Sequence, residues 1–414
     1  MAGLTAARAG ARVIIADEQN EFGGSVLSST ETLNSKPAAE WIAEVVEELS
    51  GFDDVLMLPN SQVNGYHDHN FLTIQQHCTD QFADRAPNGQ IAQRLHRVRA
   101  KWVILATGAH ERPLVYGNND LPGCMVANAV STYLNRYGVA PGKDLVLMTS
   151  NDNAYRTALD WHDAGRNVVA IVDSRKNPQG TFVEAARERG ISILVGSGVI
   201  EAHGSKRVSS VSIAPLNETG DVIVGSVVKM AADTLATSGG WSPVIHLSCH
   251  TGARPVWNDD ILGFTPGATA QKQLTAGAIN GTFSTVQVLE EGLSAACDAL
   301  AHLGLDKPDA ALPEADDIEE GKAMALFHIP HTKPTSKAPK QFVDYQNDVT
   351  AAGIELACRE GFESIEHVKR YTAMGFGTDQ GKLGNINGMA IAAKMLKQTI
   401  PETGTTIFRP NYTP

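Results

Sequence analysis

The sequence predicts an α/β fold that contains two β-α-β units of the dinucleotide-binding type, each on a parallel sheet. Strand-like apolar runs alternate with helix-like segments as far as about residue 310. Residues 1–19 and 144–175 look like two copies of one nucleotide-binding pattern. A third apolar run, KWVILA, ends in Thr107-Gly108, as a strand does where it approaches a nucleotide. Together these features favour a doubly wound α/β protein over an all-helical or all-β one.

The individual elements follow from apolar runs and from the turn residues between them. The predicted strands are Val13–Asp17, Lys101–Ala106, Asp144–Met148, Asn167–Val172, Ile191–Val195, Val208–Pro215 and Val222–Ala231. The predicted helices include Ala154–Ala164, Asp348–Gly361 and Ile386–Lys397. The last two predicted strands flank the turn Asn217-Glu218-Thr219-Gly220, so we expect them to be antiparallel.

We predict four parts in the chain. Residues 1–140 and 270–305 form a first dinucleotide-binding domain, and residues 141–269 form a second one. Residues 306–340 are proline-marked, acidic at first and then basic, and we call them the strap, a linker that crosses the surface. Residues 341–414 form a small, mainly helical module.

Composition excludes several functional classes. A net charge of −12 disfavours a general role on nucleic acid or on a membrane surface, because both need basic patches. Residues 1–15 lack a basic start followed by an apolar stretch, so we expect a cytoplasmic protein that is not bound to membranes. The five cysteines are scattered without a C-x-x-C pair, which favours buried thiols over a metal or redox site.

The first unit carries half of a dinucleotide fingerprint. Gly3 stands where the third glycine of G-x-G-x-x-G lets a helix pack closely on a strand. Asp17 or Glu18 stands where an acid accepts hydrogen bonds from ribose hydroxyls. Only about two helical turns separate Gly3 from the strand, and the first strand with its glycine loop is not in the sequence. An ordinary helix and strand remain an alternative interpretation.

Further glycines support a nucleotide site in this unit. Gly23-Gly24-Ser25 follows the acids, and paired glycines let a backbone approach a ligand. Thr107-Gly108 ends its strand with small residues, as the return strand of a two-dinucleotide flavoprotein does. The stretch Gly277-Ala278-Ile279-Asn280-Gly281 offers backbone amides to a pyrophosphate or ring. A plain strand end and a glycine-rich turn are the alternatives for the last two stretches.

The second unit has an altered glycine loop. Its loop reads Thr149-Ser150-Asn151-Asp152-Asn153-Ala154, and only Ala154 keeps the small residue that helix packing needs. Thr149 and Asn151 replace the glycines that approach phosphate, and Asp152 adds a negative charge. We predict that this unit kept its packing and lost its cofactor, with an unusual binding pose as the alternative.

Three long stretches resemble the α subunit of heterotetrameric sarcosine oxidase, and the resemblance covers residues 1–414. They are ATGAHERPLVYGNNDLPGCMVANAVSTYLNRYGVAPGK, ADTLATSGGWSPVIHL and a C-terminal set comprising KQFVDYQNDVT, GFESIEHVKRYTAMGFGTDQGKLGNINGMAIA and GTTIFRPNYTP. The resemblance implies a glutathione-reductase-like pair of Rossmann-type domains followed by a small helical module. It implies NAD in this chain, FAD on a β subunit, and FMN at the interface with the β subunit.

The resemblance also implies a reaction, partners and site residues. The whole assembly, with β, γ and δ subunits, converts sarcosine, water, tetrahydrofolate and oxygen to glycine, methylenetetrahydrofolate and hydrogen peroxide. The implied cofactor-binding residues are Ala2, Gly3, Asp17, Glu18, Gly24, Ser25, Val63, Thr107, Gly108, Gly277, Ala278, Asn280 and Gly281. Asp17 and Glu18 without a nearby basic residue favour NAD over NADP.

The sequence departs from that family at both ends. It begins inside the glycine-rich loop and stops where the folate-binding domain begins in the family, so we expect a truncated form that is inactive alone. Residues 342–348 contain no cysteine, whereas related dehydrogenase α subunits carry an iron–sulfur cluster there. An α subunit of a dye-linked proline or opine dehydrogenase, and a non-catalytic assembly protein with two dead nucleotide sites, remain as alternatives.

We predict no catalytic residue and no metal site in this chain, but three polar groupings are candidates for other roles. His110-Glu111-Arg112 is either a ligand site or structural. Asp152, Tyr155 and Arg156 are either a leftover site or include a helix cap at Asp152 or Asn153. The third grouping is His367, Lys369, Arg370 and Lys382, which line either an anion such as a flavin phosphate or a contact with another subunit.

Overall fold

The computed structural model describes residues 1–79, 89–316 and 318–412. The helices in these ranges are α1 Ala2–Arg8, α2 Ala38–Ser50, α3 Ala127–Ser131, α4 Tyr155–Asp163, α5 Thr181–Glu188, α6 His246–His250, α7 Thr285–Leu303, α8 Ala351–Arg359, α9 Ile365–Thr372, α10 Asn385–Leu396 and α11 Ile400–Thr403. Among the helices of these ranges, none combines the length and apolar character that a bilayer crossing requires.

Short strands make up the sheets. They are β1 Val13–Ala16, β2 Thr32–Leu33, β3 Lys36–Pro37, β4 Val55–Leu58, β5 Ser61–His67, β6 Phe71–His77, β7 Gln93–Arg99, β8 Val103–Leu105, β9 Ala109–Glu111, β10 Cys124–Val126, β11 Asp144–Thr149, β12 Asn167–Asp173, β13 Ile193–Val195, β14 Ser197–Gly204, β15 Val208–Pro215, β16 Val228–Ala231, β17 Thr234–Ser238, β18 Trp241–Pro243, β19 Val256–Asn258, β20 Gly263–Thr265, β21 Gln273–Thr275, β22 Phe342–Asp344 and β23 Val349–Thr350.

The first unit contains two parallel strand pairs, β1 with β4 and β8 with β21, together with the antiparallel sheet β5-β6-β7. Helix α1 packs on β1 and also on the long helix α7. Gly3 permits the first contact, because a Cβ at this residue would lie 2.7 Å from Cδ1 of Ile15. Leu4 and Ala7 bury the same face of α1 in a small apolar cluster with Ile15 and Leu49.

The second unit contains a five-stranded, all-parallel sheet in the order β10-β17-β11-β12-β13. Leu145, Leu147 and Ile171 of its strands are fully buried, as is Trp161 of α4. These residues and Ala158 belong to one apolar cluster between the sheet and its helices. Strand β10 precedes residue 140 but pairs with β17, so this sheet draws on both of the predicted domains.

One predicted strand is much shorter in the structure, because the Asn217 side chain accepts hydrogen bonds from backbone amides at its predicted start. The predicted strand 222–231 starts only at β16, Val228–Ala231, although it pairs antiparallel with β15 as expected. The Oδ1 atom of Asn217 accepts hydrogen bonds from the amides of Asp221, at 2.9 Å, and Val222, at 3.1 Å. Such local bonds compete with a strand ladder and favour a turn.

The strap and the C-terminal module complete the chain. In the described part of 306–340 the strap forms only isolated bridges, including one between Gly180 and Glu320. Helices α8 to α11 build the module, in which Ile354, Val368 and Met389 are buried. The five cysteines are half-buried, whereas the sequence predicted buried thiols.

Candidate functional site

The predicted nucleotide residues of the first unit fall into two groups that α1 connects. Asp17, Glu18, Gly24, Ser25 and Val63 follow or flank the carboxyl end of β1. Thr107 and Gly108 follow β8, and the turn 277–281 follows β21, the strand beside it. Ala2 and Gly3 begin α1, which contacts Ile15 on β1 and Gly292 on α7. Carboxyl ends of parallel strands are where open α/β sheets bind ligands.

The carboxylates of Asp17 and Glu18, at the end of β1, accept few hydrogen bonds within the described residues. The amide of Gln19 donates to Oδ1 of Asp17 at 2.9 Å, and the backbone of Asp17 is fixed by Leu58 and Ser61. Burial raises the pKa of Asp17, and the neighbouring Glu18 charge adds to this rise. The side-chain amide of Asn411 lies 3.4 Å from Oε2 of Glu18. Within the described residues, neither carboxylate takes part in an ion pair, so both remain available to hydroxyl donors.

The glycine pair after these acids has the backbone that glycine favours. Gly24 has a φ of +58°, and a Cβ at this residue would meet no atom within 4 Å. Gly23 has a φ of +132° and begins a short 3-10 helix that runs from Gly24 to Ser28. Open space beside a backbone of this kind lets a ligand approach closely.

The turn 277–281 is engaged by a residue that the sequence reasoning missed. Glu291 on α7 accepts hydrogen bonds from the amide of Gly277 and from Nδ2 of Asn280, both at 2.8 Å, and from the Thr282 hydroxyl. The Gly277 amide and the Asn280 side chain therefore serve the turn itself, which corrects the expectation that the amide of Gly277 faces a phosphate. The sequence signal for this role is weak: an acid, Glu291, lies on the helix that follows the glycine-rich turn.

The residues after β8 are hydrogen-bonded to Val244, which lies between β18 and α6. We call this region, where the first unit meets the second, the junction. The hydroxyl of Thr107 donates to the carbonyl of Val244 at 2.6 Å, and the amide of Val244 donates to the carbonyl of Gly108 at 2.9 Å. Gly108 has a φ of +74°, which a residue with a side chain rarely adopts. These bonds place the Thr107-Gly108 turn directly beside the segment that enters α6.

The altered loop of the second unit binds part of its own backbone through the side chains of Thr149 and Asn151. The hydroxyl of Thr149 donates to the carbonyl of Asn151 at 2.8 Å and accepts from the amide of Asn151 at 3.0 Å. The side chain of Asn151 donates to Ser238 Oγ at 3.1 Å and accepts from the amide of Ala154 at 3.2 Å. Helix α4 starts at Tyr155 without a side-chain cap, so the expected cap at Asp152 or Asn153 is wrong.

A buried ionic network lies next to this loop. Arg175 pairs with Asp152 at 2.5 Å and with Asp173 at 2.7 Å, and Tyr155 donates to Asp173 at 2.8 Å. Asp152 and Asp173 are at most 1% exposed. Burial opposes the charge of Arg175, but the bonds to Asp173 and Asp152 outweigh it and raise its pKa. Asp173 ends β12, where a ribose-binding acid stands in this kind of fold, and here its oxygens are occupied.

The strap crosses the same loop. The amide of Gly321 donates to Oδ2 of Asp152 at 2.5 Å, and the amide of Met324 donates to the carbonyl of Ser150 at 2.9 Å. The carbonyl of Lys322 accepts from Arg175 at 3.3 Å. A Cβ on Gly321 would lie 2.4 Å from the carbonyl oxygen of Gln179, so the strap is in close contact here. Residues 319–324 thus cover the place where a pyrophosphate would approach the second unit.

The grouping His110-Glu111-Arg112 lies in and directly after β9, which pairs with β18. Arg112 is 2% exposed and donates to the carbonyls of Gly239 and Leu262 and to the hydroxyl of Ser242. Burial lowers the pKa of Arg112 to about 10. These bonds favour the structural interpretation for Arg112, which joins the segments between the two units.

The third grouping is spread over the C-terminal module. Lys369 is buried with its Nζ 5.7 Å from the ring centre of Phe376, whereas the side chain of Arg370 is 63% exposed. His367 contacts the ring of Phe362. Lys382 is buried in a cavity beside His110. In the described ranges no cluster of three or more histidine, cysteine, aspartate or glutamate residues has metal-binding geometry.

Comparisons with known proteins agree with this architecture. Residues 1–256 match the pyridine nucleotide-disulphide oxidoreductase family, and residues 338–414 match the sarcosine oxidase A3 domain. The chain is 39% identical over its whole length to the alpha subunit of sarcosine oxidase from Rhizobium meliloti (strain 1021), but it spans only 40% of that relative. It is 24% identical to an opine oxidase subunit of the same organism, over 98% of this chain and 92% of that relative.

Solved structures show the same fold. The crystal structure of L-proline dehydrogenase from P. horikoshii superposes with a TM-score of 0.71 over 99% of this chain and 75% of that chain, at 17% identity. The family match and this superposition confirm the predicted α/β fold with dinucleotide-binding units.

Proposed function

The chain belongs to the pyridine nucleotide-disulphide oxidoreductase family and is similar to sarcosine oxidase α subunits along its whole length, and we propose that it is an NAD-binding α subunit of such a complex. The observation that carries the proposal is the state of the two strand-ending acids. Asp17 in the first unit has no ion-pair partner among the described residues, whereas Asp173 in the second is held by Arg175 and Tyr155. The dinucleotide therefore belongs to the first unit.

The proposed NAD site fits the residues that the first unit offers. Asp17 and Glu18 would accept hydrogen bonds from ribose hydroxyls, and the open backbone at Gly24 admits a ligand. Ala2, Gly3, Ser25, Val63, Thr107, Gly108, Ala278 and Gly281 complete the proposed set, whereas Gly277 and Asn280 would act only through the turn that they form with Glu291. Glu291 would act indirectly by holding the turn 277–281 in shape. NAD bound in this way would supply a nicotinamide that accepts or donates hydride.

We further propose the roles of the wider assembly. Partner β, γ and δ subunits would complete the protein, with FAD on β and FMN shared at the interface of this chain with β. The assembly would convert sarcosine, water, tetrahydrofolate and oxygen to glycine, methylenetetrahydrofolate and hydrogen peroxide, and this chain alone would be inactive. The four-part division at residues 140, 270, 305 and 340 also stays a proposal.

An opine or proline dehydrogenase α subunit is the second candidate, because the chain covers 92% of the opine oxidase relative. The lower identity of 24%, against 39%, disfavours it. Iron–sulfur absorbance of the purified protein would favour the dehydrogenase, and turnover of sarcosine by the reconstituted complex would favour the oxidase.

Calorimetric titration of the purified chain with NAD tests the proposal. We expect saturable binding, stronger than that of NADP, and at least a tenfold loss in the double variant Asp17→Asn/Glu18→Gln, which corresponds to about 1.4 kcal/mol. The matched control Glu47→Gln/Asp53→Asn makes the same charge change at two exposed residues outside the proposed site. It should bind NAD as the wild type does. Absence of heat at millimolar NAD, or equal losses in both double variants, would favour a non-catalytic assembly protein.

A further inference from the structure

A small cavity lies where the C-terminal module meets the junction of the two units. Its volume is about 20 Å³, enough for a group slightly larger than water. Its lining includes His110, Val244, His246, Phe264, Lys382 and Phe408. The proposed nucleotide residues are absent from this lining, although Thr107 and Gly108 are bonded to Val244 on one wall.

Lys382 brings a positive charge into this cavity without a close counter-charge. It is 9% exposed, and its Nζ donates to the carbonyls of Asp379 at 3.4 Å and Arg409 at 3.2 Å. Within the described residues no carboxylate lies within 4 Å of that Nζ; Glu18 and Asp379 act on it from farther away. Burial lowers the pKa of Lys382 to about 8, so the amine is protonated in most molecules at neutral pH. A buried ammonium is costly unless an anion pairs with it.

His246 adds an unpartnered polar atom to the same cavity. The residue is 5% exposed, and its Nδ1 has no hydrogen-bond partner among the described residues. Burial lowers the pKa of His246 well below its usual value, and Lys382 and His110 add to this effect. The ring is therefore neutral and carries one N–H, which can donate to a ligand. Leaving such a buried group unpaired is unfavourable, so a partner for it is expected.

The rest of the lining limits what fits. The ring of Phe408 stands edge-on to His246, with centroids 5.0 Å apart, and also contacts Phe264 at 6.0 Å. His110 is neutral as well, because burial and then Lys382 lower its pKa. The cavity thus combines one ammonium, two neutral imidazoles and two aromatic walls with the Ser242 hydroxyl and the Asn385 amide, and its volume favours a small group.

We propose that this cavity is a binding site for a small monovalent anion, either a halide or a carboxylate group, held by the Lys382 ammonium and a His246 N–H. The anion would supply the missing counter-charge and join the C-terminal module to β18 and α6. The proposal does not depend on nucleotide binding, and its test involves no NAD.

Isothermal titration with sodium formate and with sodium bromide tests the site in the whole chain. Ionic strength is held constant with sodium gluconate, whose anion is much bulkier than either probe. We expect saturable binding of at least one of the two probes, at least a tenfold weaker in Lys382→Met. The control Lys394→Met removes an equal charge from an exposed lysine of the same module and should bind normally.

The outcomes separate the possible occupants. Formate binding alone identifies a carboxylate site, whereas binding of both probes identifies a site for any small monoanion. No saturable binding of either probe by wild-type protein, or unchanged binding in Lys382→Met, overturns the proposal and leaves water as the occupant. If Lys382→Met does not fold, His246→Phe keeps a ring of similar size but removes the donor, and the same tenfold loss is expected.

Discussion

The two β-α-β units differ in what surrounds the acid at the end of their second strand. In the first unit, Asp17 accepts a bond from the Gln19 amide and lies beside open backbone at Gly24. In the second, Asp173 is fully buried between Arg175 and Tyr155, and the strap lies across the adjoining loop. The first unit therefore leaves its strand-ending acid without an ion-pair partner among the described residues, whereas the second unit pairs its acid with Arg175.

This difference shows that the second unit uses the polar groups of its altered loop within the protein. Asp152 stands where a phosphate would approach, and by itself it would only repel one. In the structure it has a positive role, because it pairs with Arg175 and accepts the Gly321 amide. The strap and the ionic network thus cover the loop of the second unit, and an apolar cluster lies between its parallel sheet and its helices.

The largest expected effect comes from breaking the ionic network of the second unit. Arg175→Met leaves Asp152 and Asp173 buried without their cation, so we expect the free energy of unfolding to fall by about 3–5 kcal/mol. Arg8→Met is the matched control, because it removes an exposed pair with Glu48 and should cost at most about 1 kcal/mol. Urea denaturation followed by circular dichroism measures both, and equal losses would show that the network is not what stabilises this unit.

A pH effect is expected at the junction between the units. Burial raises the pKa of Glu111 to about 7 from 4.5, although the Asn128 amide donates to it at 2.6 Å. The folded state therefore binds the proton more tightly than the unfolded state, and stability falls as pH rises from 4.5 to 7. The difference between these two pKa values corresponds to a loss of about 3 kcal/mol in the free energy of unfolding.

Glu111→Gln removes this titration and checks the assignment. The variant should show a flatter stability profile between pH 5 and 7, measured by urea denaturation at several pH values. A wild-type profile that rises steadily through this interval, or a variant with the wild-type slope, would contradict the role assigned to Glu111.

A smaller effect is expected when the strap is pushed away from the altered loop. Gly321→Ala places a Cβ 2.4 Å from the Gln179 carbonyl oxygen, so we expect a loss of about 1–3 kcal/mol and faster proteolysis within the strap. Gly353→Ala in α8 is the control, because its Cβ would meet only Thr350 Oγ1 at 3.7 Å and alanine favours a helix. Unchanged proteolysis in Gly321→Ala would mean that the strap does not seal this loop.

Much of the fold could be predicted from the sequence, because apolar runs such as those of β11 and β12 leave few alternatives. The absence of glycines at Thr149 and Asn151 predicts that the second unit lacks a cofactor, and this stays a prediction. A surface strap was predicted, but its position over this loop could not be, since it depends on contacts between residues far apart in the chain, such as Asp152 and Gly321. The role of Glu291 was hidden for the same reason, and Asn217 shortened a strand through bonds that no apolar pattern reveals.

Hydrogen exchange of the chain with and without NAD shows which unit binds the nucleotide, because it locates the ligand without any substitution. We expect slower exchange in residues 13–18, 61–66 and 105–108, and no change in residues 149–154 or 319–324. Protection confined to 149–154 and 319–324 would instead place the nucleotide in the second unit.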